Sequence, residues 1–113
     1  MPRLRGRVPV VSALSGRELD ELVEQATVDA YDEEEQLTGF HAVIEDELAV
    51  PFTTVVLGVE VTVSGVELVP GGGVVALCRR GEHHQRIGIL DLPLPFPPPA
   101  GGQWIEAYRH WAR

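Results

Sequence analysis

Acidic side chains are concentrated in one part of this sequence. Residues 18–47 hold 12 of the 17 Asp and Glu residues and neither Arg nor Lys, so this segment has a formal charge of −12 in a chain whose net charge is −8. The densest run is Asp-Ala-Tyr-Asp-Glu-Glu-Glu-Gln at residues 29–36. Carboxylates this close repel one another unless water, salt or a multivalent cation screens them. Ca²⁺ takes six to eight oxygen ligands in flexible geometry, so the run is a candidate cation site.

The expected arrangement of the ligands depends on the helix around them. If a helix begins just after Asp29, then Asp29, Asp32, Glu33 and Gln36 lie on one face at spacings of i, i+3, i+4 and i+7. Glu35 then lies one turn from Asp32 and faces another side. The positive end of the helix dipole does not attract a cation, so the carboxylates must supply the attraction.

A second acidic group, Glu45-Asp46-Glu47, lies where the same helix is expected to end. There the partial negative charge of the last carbonyl groups favours a cation, and exposed carbonyl oxygens could join as ligands. The pattern predicts a main Ca²⁺ site and a weaker one near Asp46. The predicted metal ligands are the carboxylates of Asp29, Asp32, Glu33, Glu35 and Asp46.

A solvated helix face is the alternative interpretation of these carboxylates, because acidic residues are also favoured in the first turn of a helix. It leaves unexplained why no Lys or Arg stands nearby to form ion pairs. The spacing of an EF-hand loop is absent, so a calcium site here must be of another kind. His83 and His84 are adjacent in an expected strand and would point to opposite faces, which disfavours a shared zinc ion.

Composition disfavours several other classes of protein. A pI near 4.8 argues against nucleic acid or an anionic membrane as the main partner. No apolar run approaches the roughly 20 residues of a membrane span, and no apolar signal-peptide region follows the N-terminus. Cys78 is the single cysteine, and all nine basic residues are Arg, so we expect a cytoplasmic, bacterial protein. No catalytic triad, Cys/His pair or phosphate-binding loop appears, so we expect no enzyme.

Two helices are expected to carry the acidic residues. A Ser-x-x-Glu capping box followed by apolar residues at helical spacing predicts a helix over about residues 15–27, and a second pattern predicts another over about residues 30–48. A single continuous helix would be a rod of about 50 Å, which does not suit a compact chain of this size. We therefore predict a break near residues 27–29, with Asp29 or Asp32 capping the second helix. Glu33 would be partly buried if the helix were continuous.

The following part of the sequence is rich in β-branched residues. Its turn signals include Pro-Gly-Gly-Gly at residues 70–73, which is typical of a hairpin. The pattern indicates a small bent antiparallel sheet or an SH3-like barrel, covered on one face by the two helices. Strands are predicted at residues 53–57, 59–69, 74–80 and 85–90.

A Pro-rich run beginning at Pro93 is expected to cross the surface and lead into a short helix at residues 103–112. In that helix Trp104, Ala107, Tyr108 and Trp111 have the spacing to fill the core. The whole is predicted to be one α+β domain over residues 1–113. Its parts are an extended arm at 1–14, the acidic helices at 15–48, the sheet at 52–94 and the C-terminal helix at 103–112.

Several motifs, in their order and spacing over roughly residues 15–112, resemble the CcbP-type (cyanobacterial-like) calcium-binding protein family. The resemblance implies a small cytoplasmic calcium binder without EF-hands, whose acidic surface supplies the ligands. The motifs that carry it lie at residues 29–36, 48–52, 56–60, 78–81, 89–94 and 104–109.

We therefore expect a non-enzymatic, non-EF-hand calcium-binding protein that acts as a calcium buffer or sensor in signalling. Its ligand is Ca²⁺, held by clustered surface carboxylates, with a protein as a further partner. The alternative is an SH3-like protein-interaction module without metal function, which would dock a partner through its acidic helices or its Pro-rich run.

Overall fold

The computed structural model describes residues 14–112, which form three α-helices, one short 3₁₀ helix and a four-stranded antiparallel sheet. The predicted α+β class is confirmed. Of the predicted extended arm, all but Leu14 lies outside the described residues. In chain order the elements are α1 (Gly16–Ala26), α2 (Glu33–Glu47), β1 (Phe52–Val56), β2 (Val59–Val69), β3 (Gly73–Arg80), β4 (His83–Gly88), the 3₁₀ helix Ile89–Asp91, and α3 (Gly102–Ala112).

The capping box predicted at the start of α1 is present. The hydroxyl of Ser15 accepts a hydrogen bond from the Glu18 N–H at 3.1 Å, and the Glu18 carboxylate accepts one from the Ser15 N–H at 2.9 Å. Each side chain thereby satisfies a backbone donor that has no partner inside the helix. The helix ends where Thr27 N–H bonds back to the Val23 carbonyl at 3.0 Å.

The predicted break between the acidic helices is confirmed, but α2 begins at Glu33, later than predicted. Asp29 has a φ of 63°, in the left-handed region, which a right-handed helix cannot include. Asp32 is extended and is the N-cap. The expectation that Asp29, Asp32, Glu33 and Gln36 share one helix face is therefore wrong, because the first two lie before the helix. Glu33 is exposed.

The sheet of residues 14–112 is an open meander with the strands in sequence order, so β1 and β4 are its edges. The barrel alternative is not confirmed. The hairpin predicted at residues 70–73 joins β2 to β3, and Gly71 and Gly73 there have positive φ angles of 76° and 81°. A bulge lies between Val63 and Gly65, which bends β2.

The core lies between one face of the sheet and the helices. Val63, Val74 and Ala76 point into it from the strands, and Phe40 and Ile44 enter from α2. Their burial, which removes apolar surface from water, is the main stabilising contribution.

α3 packs into the same core, as its apolar spacing predicts. Trp104, Ala107 and Tyr108 are buried and Trp111 is partly buried. The rings of Tyr108 and Trp111 lie 5.4 Å and 5.2 Å from that of Phe40, so α3 closes over α2.

The Pro-rich run is held at both ends by hydrogen bonds. The Thr54 hydroxyl of β1 donates to the Pro93 carbonyl at 2.6 Å, and Ala49 N–H donates to the Ala100 carbonyl at 2.8 Å. At Gly101, where φ is 88°, a side chain would collide with the backbone carbonyl of Glu47. These contacts place the start of α3 against the end of α2.

Candidate metal centre

The link between α1 and α2 is the part of the chain where carboxylates and irregular backbone coincide. It comprises residues 27–32, six residues between the helices, and includes Asp29 and Asp32. An Ala30 N–H to Thr27 carbonyl bond of 3.0 Å closes its first turn. An EF-hand loop has 12 residues, so this helix–link–helix unit is too short to be one.

Asp32 and Glu35 form a second capping box at the start of α2. Asp32 Oδ1 accepts from the Glu35 N–H at 2.8 Å, and Glu35 Oε1 accepts from the Tyr31 and Asp32 N–H groups at 2.7 Å and 3.3 Å. A carboxylate has about four acceptor positions, so each side chain retains capacity for another ligand. The capping bonds also fix where these two carboxylates lie.

Three further carboxylates surround the capping box. Asp29, Glu33 and Glu34 are exposed, and their side chains make no hydrogen bond or ion pair with other residues of the described part. The first turn of α2 therefore has three consecutive acidic residues, and no basic side chain of residues 14–112 forms an ion pair with them. Mutual repulsion is expected there, screened by water and salt.

Asp46 lies apart from this group. It is exposed in the last turn of α2, and that turn has no basic residue. Fourteen residues separate it from Asp32, which corresponds to about 21 Å along a helix. One ion cannot bind both, so Asp46 belongs to a separate predicted site.

The donor atoms suit Ca²⁺ chemically, since all the predicted ligands are carboxylate oxygens. Within residues 14–112, however, no group of three or more His, Cys, Asp or Glu side chains is gathered closely enough to hold a metal ion. Only Asp32 and Glu35 are brought together, through their capping box. The exposed side chains of Asp29 and Glu33 would have to rotate to join them.

Two contacts from α3 to the acidic helices were not predicted. The Trp111 indole N–H donates to Gln36 Oε1 at 2.9 Å, and His110 Nε2 lies 2.8 Å from Asp20 Oδ1. The helical spacing of α3 indicated that Trp111 faces the core. No local signal in the sequence links it to Gln36, because 75 residues separate the two.

The remaining metal-binding residue types lie elsewhere. Cys78 is buried in β3, and burial raises the pKa of its thiol, which disfavours the thiolate that binds metals. His83 and His84 are consecutive exposed residues of β4, so their side chains alternate between its faces.

In a comparison with known protein families, the acidic part of the chain matches one family model. A family model described as calcium binding, of the CcbP type, matches residues 20–70. This match, over 51 of the 113 residues, supports membership of the CcbP-type calcium-binding family. The matched residues comprise most of α1, the link, α2, β1 and β2. No curated protein and no solved structure matches the chain.

The matched segment is also the acidic segment of this chain. Residues 20–70 contain 13 of the 17 carboxylates and neither Arg nor Lys.

A separate finding concerns membranes: of the helices formed by residues 14–112, none has the length and apolar character needed to cross a bilayer.

Proposed function

We propose that this protein binds Ca²⁺ through exposed carboxylates around the α1–α2 link and acts as a calcium buffer rather than an enzyme. The observation that carries the proposal is the calcium-binding family match over residues 20–70, a segment with 13 carboxylates and no Arg or Lys. A cytoplasmic location in a bacterial cell is part of the same proposal.

The residues proposed to hold the main ion are Asp29, Asp32, Glu33 and Glu35. Asp32 and Glu35 are already fixed by their capping bonds, while the other two are free to turn toward the ion. Bound calcium would supply the positive charge that the first turn of α2 lacks. A weaker site is proposed near Asp46, where the C-terminal carbonyl groups of α2 favour a cation.

Buffering is favoured over sensing because the proposed ligands are separated from the core. A sensor needs an element with two alternative packings that calcium can bias. Here the buried face of α2 is anchored by Phe40 and Ile44, while its acidic residues face solvent. Exposed carboxylates without a preformed loop suggest a Kd on the order of 10⁻⁶ to 10⁻³ M.

Isothermal titration of the chelator-treated protein with calcium tests this proposal. We expect a saturable heat with a Kd in that range, and a weaker or absent response to Mg²⁺, which loses its bound water reluctantly. A protein that gives no saturable heat up to millimolar calcium would exclude the proposed function.

A protein partner is the second proposal, and one observation favours it. Phe96 lies in the Pro-rich run and is 85% exposed, and Pro-rich segments of this kind dock onto aromatic grooves of other proteins. Binding of a partner should then be insensitive to chelator and lost in Phe96→Ala. An SH3-like barrel, which the sequence analysis gave as an alternative, is not required for this role.

A further inference from the structure

Two neighbouring residues of α3 hold the two acidic helices. His110 Nε2 lies 2.8 Å from Asp20 Oδ1 of α1, and Trp111 Nε1 donates to Gln36 Oε1 of α2 at 2.9 Å. Along the chain, Asp20 precedes the link at residues 27–32 and Gln36 follows it. The last turn of α3 therefore bridges the helices that flank the candidate metal centre.

The Trp111 contact is the stronger of the two constraints because it combines packing with a hydrogen bond. Its ring lies 5.2 Å from that of Phe40 and 5.8 Å from that of Tyr108. Phe40 lies one turn after Gln36, so both contacts act on the same stretch of α2. By contrast, the Asp20 side chain is 72% exposed, and exposed ion pairs contribute little.

We infer that Trp111 is a positioning residue of the calcium site, an inference that rests on the proposed function. Gln36 directly follows Glu35, so the indole that holds Gln36 also fixes the direction of the first turn of α2. Ligands ordered before binding lose less conformational entropy when the ion arrives, which strengthens binding. Trp111 lies outside the matched segment at residues 20–70.

Calcium titrations of four proteins test this role: the wild type, Trp111→Phe, Gln36→Met and the double variant. Phenylalanine keeps a ring in the aromatic cluster, and methionine keeps the length of Gln36 in a helix. We expect each single change to raise the calcium Kd by about fivefold, because the cost of ordering a ligand side chain then falls on calcium binding. The double variant should be no weaker than either single one, because both remove the same bond.

Trp104→Phe is the matched control. Trp104 lies in the same helix and is buried, but it does not contact the first turn of α2 through a hydrogen bond. We expect this variant to lower the melting temperature and to leave the calcium Kd unchanged. In ¹⁵N NMR spectra of the wild type, the indole N–H signal of Trp111 should shift as calcium is added. The midpoint of that shift should equal the midpoint of the calorimetric titration.

The outcomes separate this inference from the proposed function. A wild type that binds no calcium overturns both. A wild type that binds while Trp111→Phe binds equally well overturns the positioning role alone. Loss of affinity in Trp104→Phe equal to that in Trp111→Phe also overturns it, because affinity would then follow stability and not the contact with Gln36.

Discussion

Asp32 and Glu35 hold each other's backbone at the start of α2: Asp32 Oδ1 accepts the Glu35 N–H at 2.8 Å, and Glu35 Oε1 accepts the Asp32 N–H at 3.3 Å. The same two side chains are proposed calcium ligands. They therefore also cap α2, and any variant that tests metal binding must keep these capping bonds. Amide substitutions meet this condition, since they remove the charge and keep an oxygen that can accept.

Asp32→Asn combined with Glu35→Gln is expected to weaken calcium binding by tenfold or more, because two of the proposed ligands lose their charge. The free energy of unfolding without calcium should change by less than about 1 kcal/mol, since Asn is as good an N-cap as Asp. Calorimetric titration and thermal denaturation measure the two quantities on the same samples.

Glu82→Gln combined with Asp91→Asn is the matched control. Both are exposed carboxylates outside the matched segment, and their loss makes the net charge less negative by the same amount as the first pair. If this pair weakens binding as much as the first pair, calcium is attracted by the net charge of the protein and not by the proposed ligands.

Asp32→Ala tests the cap separately from the charge. Alanine provides no acceptor for the Glu35 N–H, so we expect a loss of about 1 kcal/mol in the free energy of unfolding, while Asp32→Asn should cost much less. Urea denaturation without calcium gives both values. Equal stability of the two variants would show that the capping bond contributes little.

Gly39→Ala is expected to destabilise the contact between α1 and α2. A β-carbon at this position would collide with the carbonyl oxygen of Ala26, the last residue of α1. Overpacking of this kind costs about 1–3 kcal/mol, more than the helix propensity gained from alanine. Gly16→Ala is the control, because that helical position opens to free space, and it should be neutral or stabilising in the same denaturation experiment.

Calcium should raise the melting temperature. At a concentration of 100 times the Kd, binding to the folded state alone adds about 2.7 kcal/mol of stability, a shift on the order of 10 °C for a domain of this size. Scanning calorimetry at matched ionic strength separates this effect from general screening. If NaCl produces the whole shift, the carboxylates need screening but not a specific ion.

Cys78 should reduce stability at alkaline pH. Burial raises the pKa of its thiol above the ordinary value of 9.0, so the unfolded chain releases this proton at a lower pH than the folded protein. The contribution to stability is complete below pH 9.0 and is lost as the pH rises through the folded pKa. Denaturation of the wild type and Cys78→Ala between pH 8 and 11 should show a steeper alkaline decline for the wild type.

Local patterns in the sequence predicted most of the elements. The capping box at Ser15, the hairpin at residues 70–73 and the apolar spacing of α3 each depend on neighbours within a few residues. The start of α2 was misplaced because the left-handed conformation of Asp29 is a choice that the residue type permits but does not require. Where a helix begins is then decided by which of two aspartates becomes the cap.

The candidate centre was predictable in composition but not in assembly. A run of carboxylates is visible in any sequence, whereas the direction of each side chain depends on contacts made much later in the chain. The bond from Trp111 to Gln36 and the aromatic cluster around Phe40 join segments that no short pattern connects. Long-range packing therefore decides how the acidic helices are held.

The position of α3 at the end of the element order has a consequence for folding during translation. Its aromatic residues complete the core that α2 begins, yet the entire sheet is synthesised between the two helices. During translation the side of Phe40 that meets Tyr108 and Trp111 stays uncovered until α3 has left the ribosomal tunnel. A chaperone that shields apolar segments of nascent chains would have its longest opportunity to act in that interval.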